Sequence, residues 1–452
     1  MTQLTSTSIR IVDARGAQTD RTTVRAELPR ARAAEADDLE ARVAGTIARV
    51  RKEGFAAVAD LTREFDGIDL TALRVPESAV REAAAALTPQ MRSALEQAID
   101  RARTFANAQF PKPVSVDYPG GATVSLEWEP VQRAGLYVPG GKAVYPSSVV
   151  MNVVPAQAAG VDSIALVSPP QRAFGGSPHP SILAASELLG VDEIYAIGGA
   201  QAIAALAFGI AEHDAERAVP AVDVITGPGN VYVAAAKRLV RGIVGVDVEA
   251  GATEVMILAD GCADPTLIAM DMICQAEHDE NAAAILVTPS GSLIAAVGAE
   301  LDRRAPRTAN RERVRAALGG AQSGLVLVDD ITHGVEVVSA YAPEHLEVHT
   351  EDAAAVAGRV TGAGAIFIGA STPVSLGDYA AGSNHVLPTG GTATFSSGLS
   401  VFSFLRNVQH ISYSTDSLAP LRDAIATLSS AEHLPAHGDA FEARFPHAPP
   451  AP

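Results

Sequence analysis

A chain of 452 residues is longer than one hydrophobic core usually organises, which predicts two or more domains. Hydrophobic residues make up 48% and charged residues 19%, which excludes the apolar-poor composition of a disordered chain. The formal net charge of -18 argues against a nucleic-acid partner, because phosphate binding draws its affinity from Lys and Arg.

The opening segment, MTQLTSTSIRIVDARGAQTD, has no basic stretch leading into an apolar one, and no uncharged apolar run reaches ~18 residues. The expectation is a cytoplasmic protein that neither enters nor crosses a membrane. Residues 1–30 read as an extended arm. An Ala-rich helical region from about Arg32 to Phe65 follows, then a second from about Glu77 to Ala106, with FDGIDL and RVPES between them as turn and helix start.

From Ala134 short apolar runs alternate with Ala-rich helical stretches: GLYVP, SVVMNVVPAQAAG, SIALVSP, SILAASELLG, EIYAIGG, AQAIAALAFGI, VDVITG and NVYVAAAKRLV. That alternation is the pattern of βαβ units on a parallel sheet. It breaks near Glu249–Thr253 and resumes with EVMILAD, PTLIAMDMICQAEH, AAILVTPS, GLVLVDD and AIFIG. Two α/β domains are expected, the helical region before Ala134 packing on the second. From about Thr394 the texture changes to a separate unit with one clear helix near Leu418–Ser429 and a Pro/Ala-rich, frayed end.

The two cysteines, Cys262 and Cys274, are too few for a disulfide framework or a thiolate zinc site, so any zinc must use nitrogen and oxygen ligands. Nine of the eleven histidines lie at position 278 or later. In MDMICQAEHDE, Gln275 and His278 are three apart on an expected helix and share a face. They could chelate a metal together, although Gln is an unusual zinc ligand and a satisfied polar face has the same spacing. Asp378 and His385 occupy a Gly-bounded loop that suits either function or helix capping.

In YAPEHLEVHT, Pro343 precedes Glu344 and His345, a carboxylate and an imidazole suited to acid–base work from a strand end. Read instead as a strand, HLEVH puts His345, Glu347 and His349 on one face as a metal cluster. Near the end, Glu432, His433 and His437 fit a solvated helix end as well as a site. Three Gly-rich turns, in YVPGGKAVYPSS, AIGGAQAIAALAFG and VITGPGNVYVAAAKR, each join an expected strand to a helix start, where free N–H groups and the helix dipole favour anions. No G-x-G-x-x-G occurs, so spacing alone identifies no dinucleotide.

Taken together and in this order, the segments from LYVPGG to EHLPAH resemble the histidinol dehydrogenase family. The fold expected is α/β, with two Rossmann-like parallel-sheet domains, an extended N-terminal arm and a small helical C-terminal unit. The domains are residues 31–133 with 253–393 for zinc and catalysis, 134–252 for NAD, and 394–452 for dimerisation. The resemblance implies one zinc per active site on Gln275, His278, Asp378 and His437, the last from the partner subunit of an intertwined homodimer. It implies Glu344 and His345 as the catalytic pair, with substrate contacts from Thr253, His345, His385, Glu432 and the zinc ligands. The NAD contacts it implies fall on Tyr137, Gln201 and Asn230, one in each Gly-rich turn.

The reaction implied is a four-electron oxidation of L-histidinol through its aldehyde to L-histidine with two NAD. Zinc would act as a template, His345 as the base for the hydroxyl proton and Glu344 as the activator of water. Cys274, in the apolar run IAMDMIC, reads as an inert buried thiol and not a nucleophile. The alternatives are a relative that oxidises another small alcohol on the same scaffold, and a zinc hydrolase that needs no NAD.

Overall fold

A computed structural model of the chain describes residues 9–30, 36–140, 144–248 and 251–445. The expected frayed tail lies outside them, apart from Phe445, as do His447, three residues of the first Gly-rich turn and the first two residues of the expected break at 249–253. The strands in chain order are β1 (Ile11–Asp13), β2 (Val114–Tyr118), β3 (Ala122–Pro130), β4 (Arg133–Tyr137), β5 (Ser163–Ser168), β6 (Ile194–Ala196) and β7 (Val224–Thr226). They continue with β8 (Gly245–Val246), β9 (Glu254–Ala259), β10 (Ala283–Thr288), β11 (Gly324–Leu327), β12 (His345–His349), β13 (Ala365–Ile368) and β14 (Leu405–Ser412).

The chain divides into two compact units, one of Met1–Gln109 with Val131–Phe404 and one of Phe110–Pro130 with Leu405–Pro452. The larger unit holds two parallel sheets, ordered β6-β5-β4-β7-β8 and β1-β11-β10-β9-β12-β13. Apart from the added edge strand β1, both follow one winding. The chain starts in the middle, steps two strands to one side, then returns to the other side of its first strand. That is the doubly wound order, whose reversal point is a natural ligand crevice. The runs EVMILA and AAILVT are buried throughout, as strands covered on both faces require.

Two expectations about the first hundred residues are corrected. The arm contributes β1, which pairs with β11 at the edge of the second sheet, and helix Arg21–Glu27 lies on helix Ile331–Tyr341. The helical region before Ala134 packs on the first sheet and not the second. Val43, Val50, Val58 and Leu61 share a core with Ile203, Leu206 and Val233. The reason lies in helix Gly199–Phe208, GAQAIAALAF, which is apolar nearly all round and needs an outer layer to cover it. Amphipathic helices advertise a buried face but not which sheet will bury it.

Below the third Gly-rich turn lies a fully buried ion pair between Lys237 and Asp247. Lys237 Nζ also donates to the carbonyls of Gly227 (2.8 Å) and Val248 (3.0 Å), and Asp247 accepts from the Gly227 N–H at 2.8 Å. Gly227 has φ 113°, and a Cβ there would stand 2.0 Å from the Tyr137 carbonyl oxygen, so the turn admits only glycine. Removing one partner strands a buried charge. Lys237→Met is therefore expected to lower the unfolding free energy by ~3–5 kcal/mol in denaturant titration, and a loss under ~1 kcal/mol would refute the pair's structural role.

The smaller unit corrects a third expectation, because it is not purely helical. An antiparallel sheet, β14-β3-β2, pairs the chain's last strand with a hairpin drawn from residues 110–130. The hairpin turns at Gly120 and Gly121, φ 80° and 79°, the positive pair that a tight twisted hairpin needs. Helices Arg422–Ala431 and Pro435–Glu442 complete the unit. One sheet face is apolar and uncovered: Val116, Val124 and Ile411 lie in one cross-strand row, with Ile411 66% exposed.

Candidate active site

In the second sheet β9 and β12 are neighbours, so the residues at their N-terminal ends meet. Thr253 immediately precedes β9 and Glu344 immediately precedes β12. One Glu344 oxygen accepts from the Thr253 hydroxyl (2.6 Å) and from the Glu254 N–H (2.9 Å). Because the Thr253 proton goes to Glu344, its oxygen can only accept from Gln275, whose Nε2 lies 2.8 Å away. The amide is thereby oriented. Gln275 is 1% exposed, and its Oε1 has no hydrogen-bond partner.

An orphaned carbonyl-type oxygen in a buried site is costly unless something positive accepts it. Helix Pro265–Ala276 carries Gln275 in its last turn, whereas His278 lies just past the helix end, not on the helix as expected. His278 Nε2 stands 3.8 Å from Asp378 Oδ2. Two ligands each ~2.1 Å from a shared ion can be that far apart. Burial holds the His278 imidazole below its ordinary pKa, with Asp378 opposing, and a neutral ring is the form that binds metal. Gln275, His278 and Asp378 thus fit a divalent cation with nitrogen and oxygen donors.

His345 is buried, and its Nδ1 donates to the Glu254 carbonyl at 3.2 Å. That contact fixes the tautomer and leaves Nε2 with a free lone pair. Burial pushes the His345 pKa down, so the ring is neutral and able to take a proton. Burial pushes the Glu344 carboxyl up to about 8, against the pull of its Thr253 and Glu254 hydrogen bonds. His385 binds the Asp378 carbonyl through Nδ1 (3.1 Å) and Ser148 Oγ through Nε2 (3.1 Å). Ser148 belongs to helix Pro146–Ala159 of the first sheet, so this contact joins the two halves of the larger unit.

Tyr137, Gln201 and Asn230 lie where β4, β6 and β7 run out toward their following helices, β4 and β7 flanking the reversal point of the first sheet. Tyr137 is buried, with its hydroxyl accepting from the Gly199 N–H at 3.2 Å. Gln201 folds back over the same helix start, near Gly199. Asn230 is exposed and caps helix Val231–Val240, accepting from the N–H groups of Tyr232 (3.0 Å) and Val233 (3.1 Å). Tyr137 and Asn230 thus each have a local structural task.

Glu432 and His437 lie exposed in the smaller unit. Glu432 ends helix Arg422–Ala431, and His433, at φ 55°, closes it, with the Leu434 N–H reaching the Ser429 carbonyl at 2.8 Å. Cys274 is a free thiol whose pKa burial pushes up to about 12, which leaves it unreactive.

Two residues that hold candidate site side chains in place are not marked in the sequence. Ser148 sits in the YPSS helix start, whose hydroxyls look like ordinary capping residues. Glu254 supplies the carbonyl that orients His345, and its side chain, buried and pushed up to about 7, is held by Tyr341 and the Gly390 N–H. No motif marks a backbone carbonyl.

A family model described as histidinol dehydrogenase matches residues 29–445. The histidinol dehydrogenase of Thermobifida fusca (strain YX) is 55% identical over 435 residues, 96% of this chain and 97% of that protein. That of Mycobacterium tuberculosis (strain ATCC 25618 / H37Rv) is 53% identical over 96% of this chain and 97% of its own. Among solved structures, the crystal structure of histidinol dehydrogenase from Elizabethkingia anophelis superposes with a TM-score of 0.88 at 30% identity, covering 96% of this chain and 98% of that one.

Proposed function

The chain belongs to the histidinol dehydrogenase family and is an oxidoreductase, and from that premise we propose that it oxidises L-histidinol through L-histidinaldehyde to L-histidine with two NAD and one zinc per active site. The observation that carries this reading is a neutral His345 and a raised Glu344 beside the buried, unpartnered Gln275 oxygen. Gln275, His278, Asp378 and His437 of the partner subunit would hold the zinc. When bound, the zinc would seat the reactant's imidazole and amino nitrogens, and the nicotinamide would take one hydride in each half-reaction.

The protein's own residues move the protons. His345 takes the hydroxyl proton on Nε2, because its Nδ1 is tied to the Glu254 carbonyl. Glu344, held in place by Thr253 and the Glu254 N–H, takes a proton from water so that the aldehyde is hydrated before its oxidation. Thr253, His385 and Glu432 complete the substrate contacts in this reading. Tyr137, Gln201 and Asn230 would border the NAD at the reversal point of the first sheet.

The uncovered row Val116, Val124 and Ile411 supports a homodimer, and the exposure of His437 supports its donation to a partner. Among the described residues no helix is long and apolar enough to cross a membrane. The two free thiols fit a cytoplasmic setting, and the net charge fits a small-molecule partner and not nucleic acid.

The deciding experiment mixes the purified protein with histidinol and NAD, and follows NADH absorbance and zinc content before and after chelation. Activity that needs zinc and consumes NAD supports the reading; hydrolysis without NAD, or turnover unaffected by chelation, overturns it. A pH effect follows as well. Glu344 must be ionised to accept a proton, so kcat/KM for the aldehyde is expected to fall as pH drops below about 8, approaching ~10-fold per unit. A flat profile down to neutral pH would remove Glu344 as the base.

A further inference from the structure

Between β12 and helix Pro265–Ala276 lies a second polar cluster that the proposed reaction does not use. On β9, the face toward this helix carries Val255, Ile257 and Ala259; the positions in register with them on β12 are His345, Glu347 and His349. HLEVH is therefore a strand with its three polar residues on one face, but His345 is engaged at the catalytic end. Asp271, one helical turn before Gln275, takes its place in the cluster. Ligand atoms of Asp271, Glu347 and His349 all lie within 4.8 Å of one another.

Glu347 is 0% and His349 4% exposed. Glu347 Oε1 accepts from the Val374 N–H at 2.9 Å, but its Oε2 is unpartnered, and so are both ring nitrogens of His349. His349 Nε2 and Glu347 Oε2 are 3.6 Å apart, too far for a hydrogen bond and within the span of two ligands at ~2.1 Å from a common ion. A buried polar atom left bare is costly, because it has given up water and gained no partner. Burial keeps the His349 ring neutral, with a lone pair to offer, and pushes the Glu347 carboxyl up, the nearby Asp271 adding to the push. A proton shared between the two carboxyl groups would relieve their repulsion but leave both imidazole nitrogens bare.

We propose that Asp271, Glu347 and His349 form a second divalent-cation site, distinct from that of Gln275, His278 and Asp378, which takes zinc or an ion of similar size with water completing its shell. One imidazole and two carboxylates are borderline-hard donors suited to such ions. The half-exposed Asp271 is the entrance. The ion would clamp the helix that carries Gln275 to the strand that carries His345, a structural and not a catalytic task. No residue is shared with the first site, so either can fail without the other.

The test strips the full-length protein with chelator, titrates it with zinc chloride and counts bound metal by mass spectrometry. The intact protein is expected to take up about two equivalents per chain, with Asp271→Asn and His349→Gln each losing one and His278→Ala keeping one. Saturation at one equivalent, unchanged by His349→Gln and abolished by His278→Ala, overturns the proposal. Should the variants not fold, zinc-edge anomalous diffraction from zinc-loaded crystals of the unaltered protein decides it: a peak among the three side chains supports the site, and its absence refutes it.

Discussion

Glu344→Gln is expected to spare the first oxidation while slowing that of the aldehyde by ~10²–10⁴, the usual contribution of a positioned general base. Glutamine keeps the shape of the side chain and can still accept the Thr253 hydroxyl and the Glu254 N–H, so the pocket should persist. What it loses is proton affinity. In the proposed reaction the alcohol step draws on His345, whose Nε2 lone pair is unaltered by the change. Single-turnover NADH formation from histidinol, and separately from the aldehyde, measures the two half-reactions. Equal losses in both would deny the division of labour between the two side chains.

His437→Ala should lose zinc together with turnover, because the proposed seat of four ligands becomes one of three, and the several kcal/mol that a metal template supplies go with it. Its sharper use is complementation. If His437 serves the partner subunit, a heterodimer of His437→Ala with Glu344→Gln has one site with both native residues. Co-expression of these two nearly inactive variants should then restore about a quarter of native activity, since half of randomly paired dimers are mixed and half of their sites intact. No recovery, with mixed dimers verified by mass, would place His437 in its own chain's site.

The alternation of apolar runs and helices from Ala134 announced two parallel sheets, because strands covered on both faces read as continuous apolar runs. Glu344 and His345 stood out because a carboxylate beside an imidazole after proline is an uncommon juxtaposition. Less was legible wherever the outcome depended on a partner distant in sequence. Hairpin 110–130 joins β14 nearly three hundred residues later, and nothing local foretells that pairing. Nothing in the sequence marks Asp271 as a neighbour of Glu347 and His349, because only the fold brings β12 beside its helix. The tautomer of His345 rests on the Glu254 carbonyl, which is chemically identical to every other carbonyl in the chain.

Except for Ser148, the first-sheet residue bound to His385, the groups tied together around Glu344 and Asp378 come from residues 253–385, while Tyr137, Gln201 and Asn230 belong to the other sheet. In the proposed function, reactant and coenzyme therefore have separate landlords. Under that reading the two halves, joined by contacts such as Ser148 with His385 and Asn384 Nδ2 with the Met151 carbonyl at 2.7 Å, could part slightly to exchange spent coenzyme for fresh without loosening the reactive aldehyde. Two successive oxidations could then proceed on one tethered molecule with no half-finished product escaping into solution.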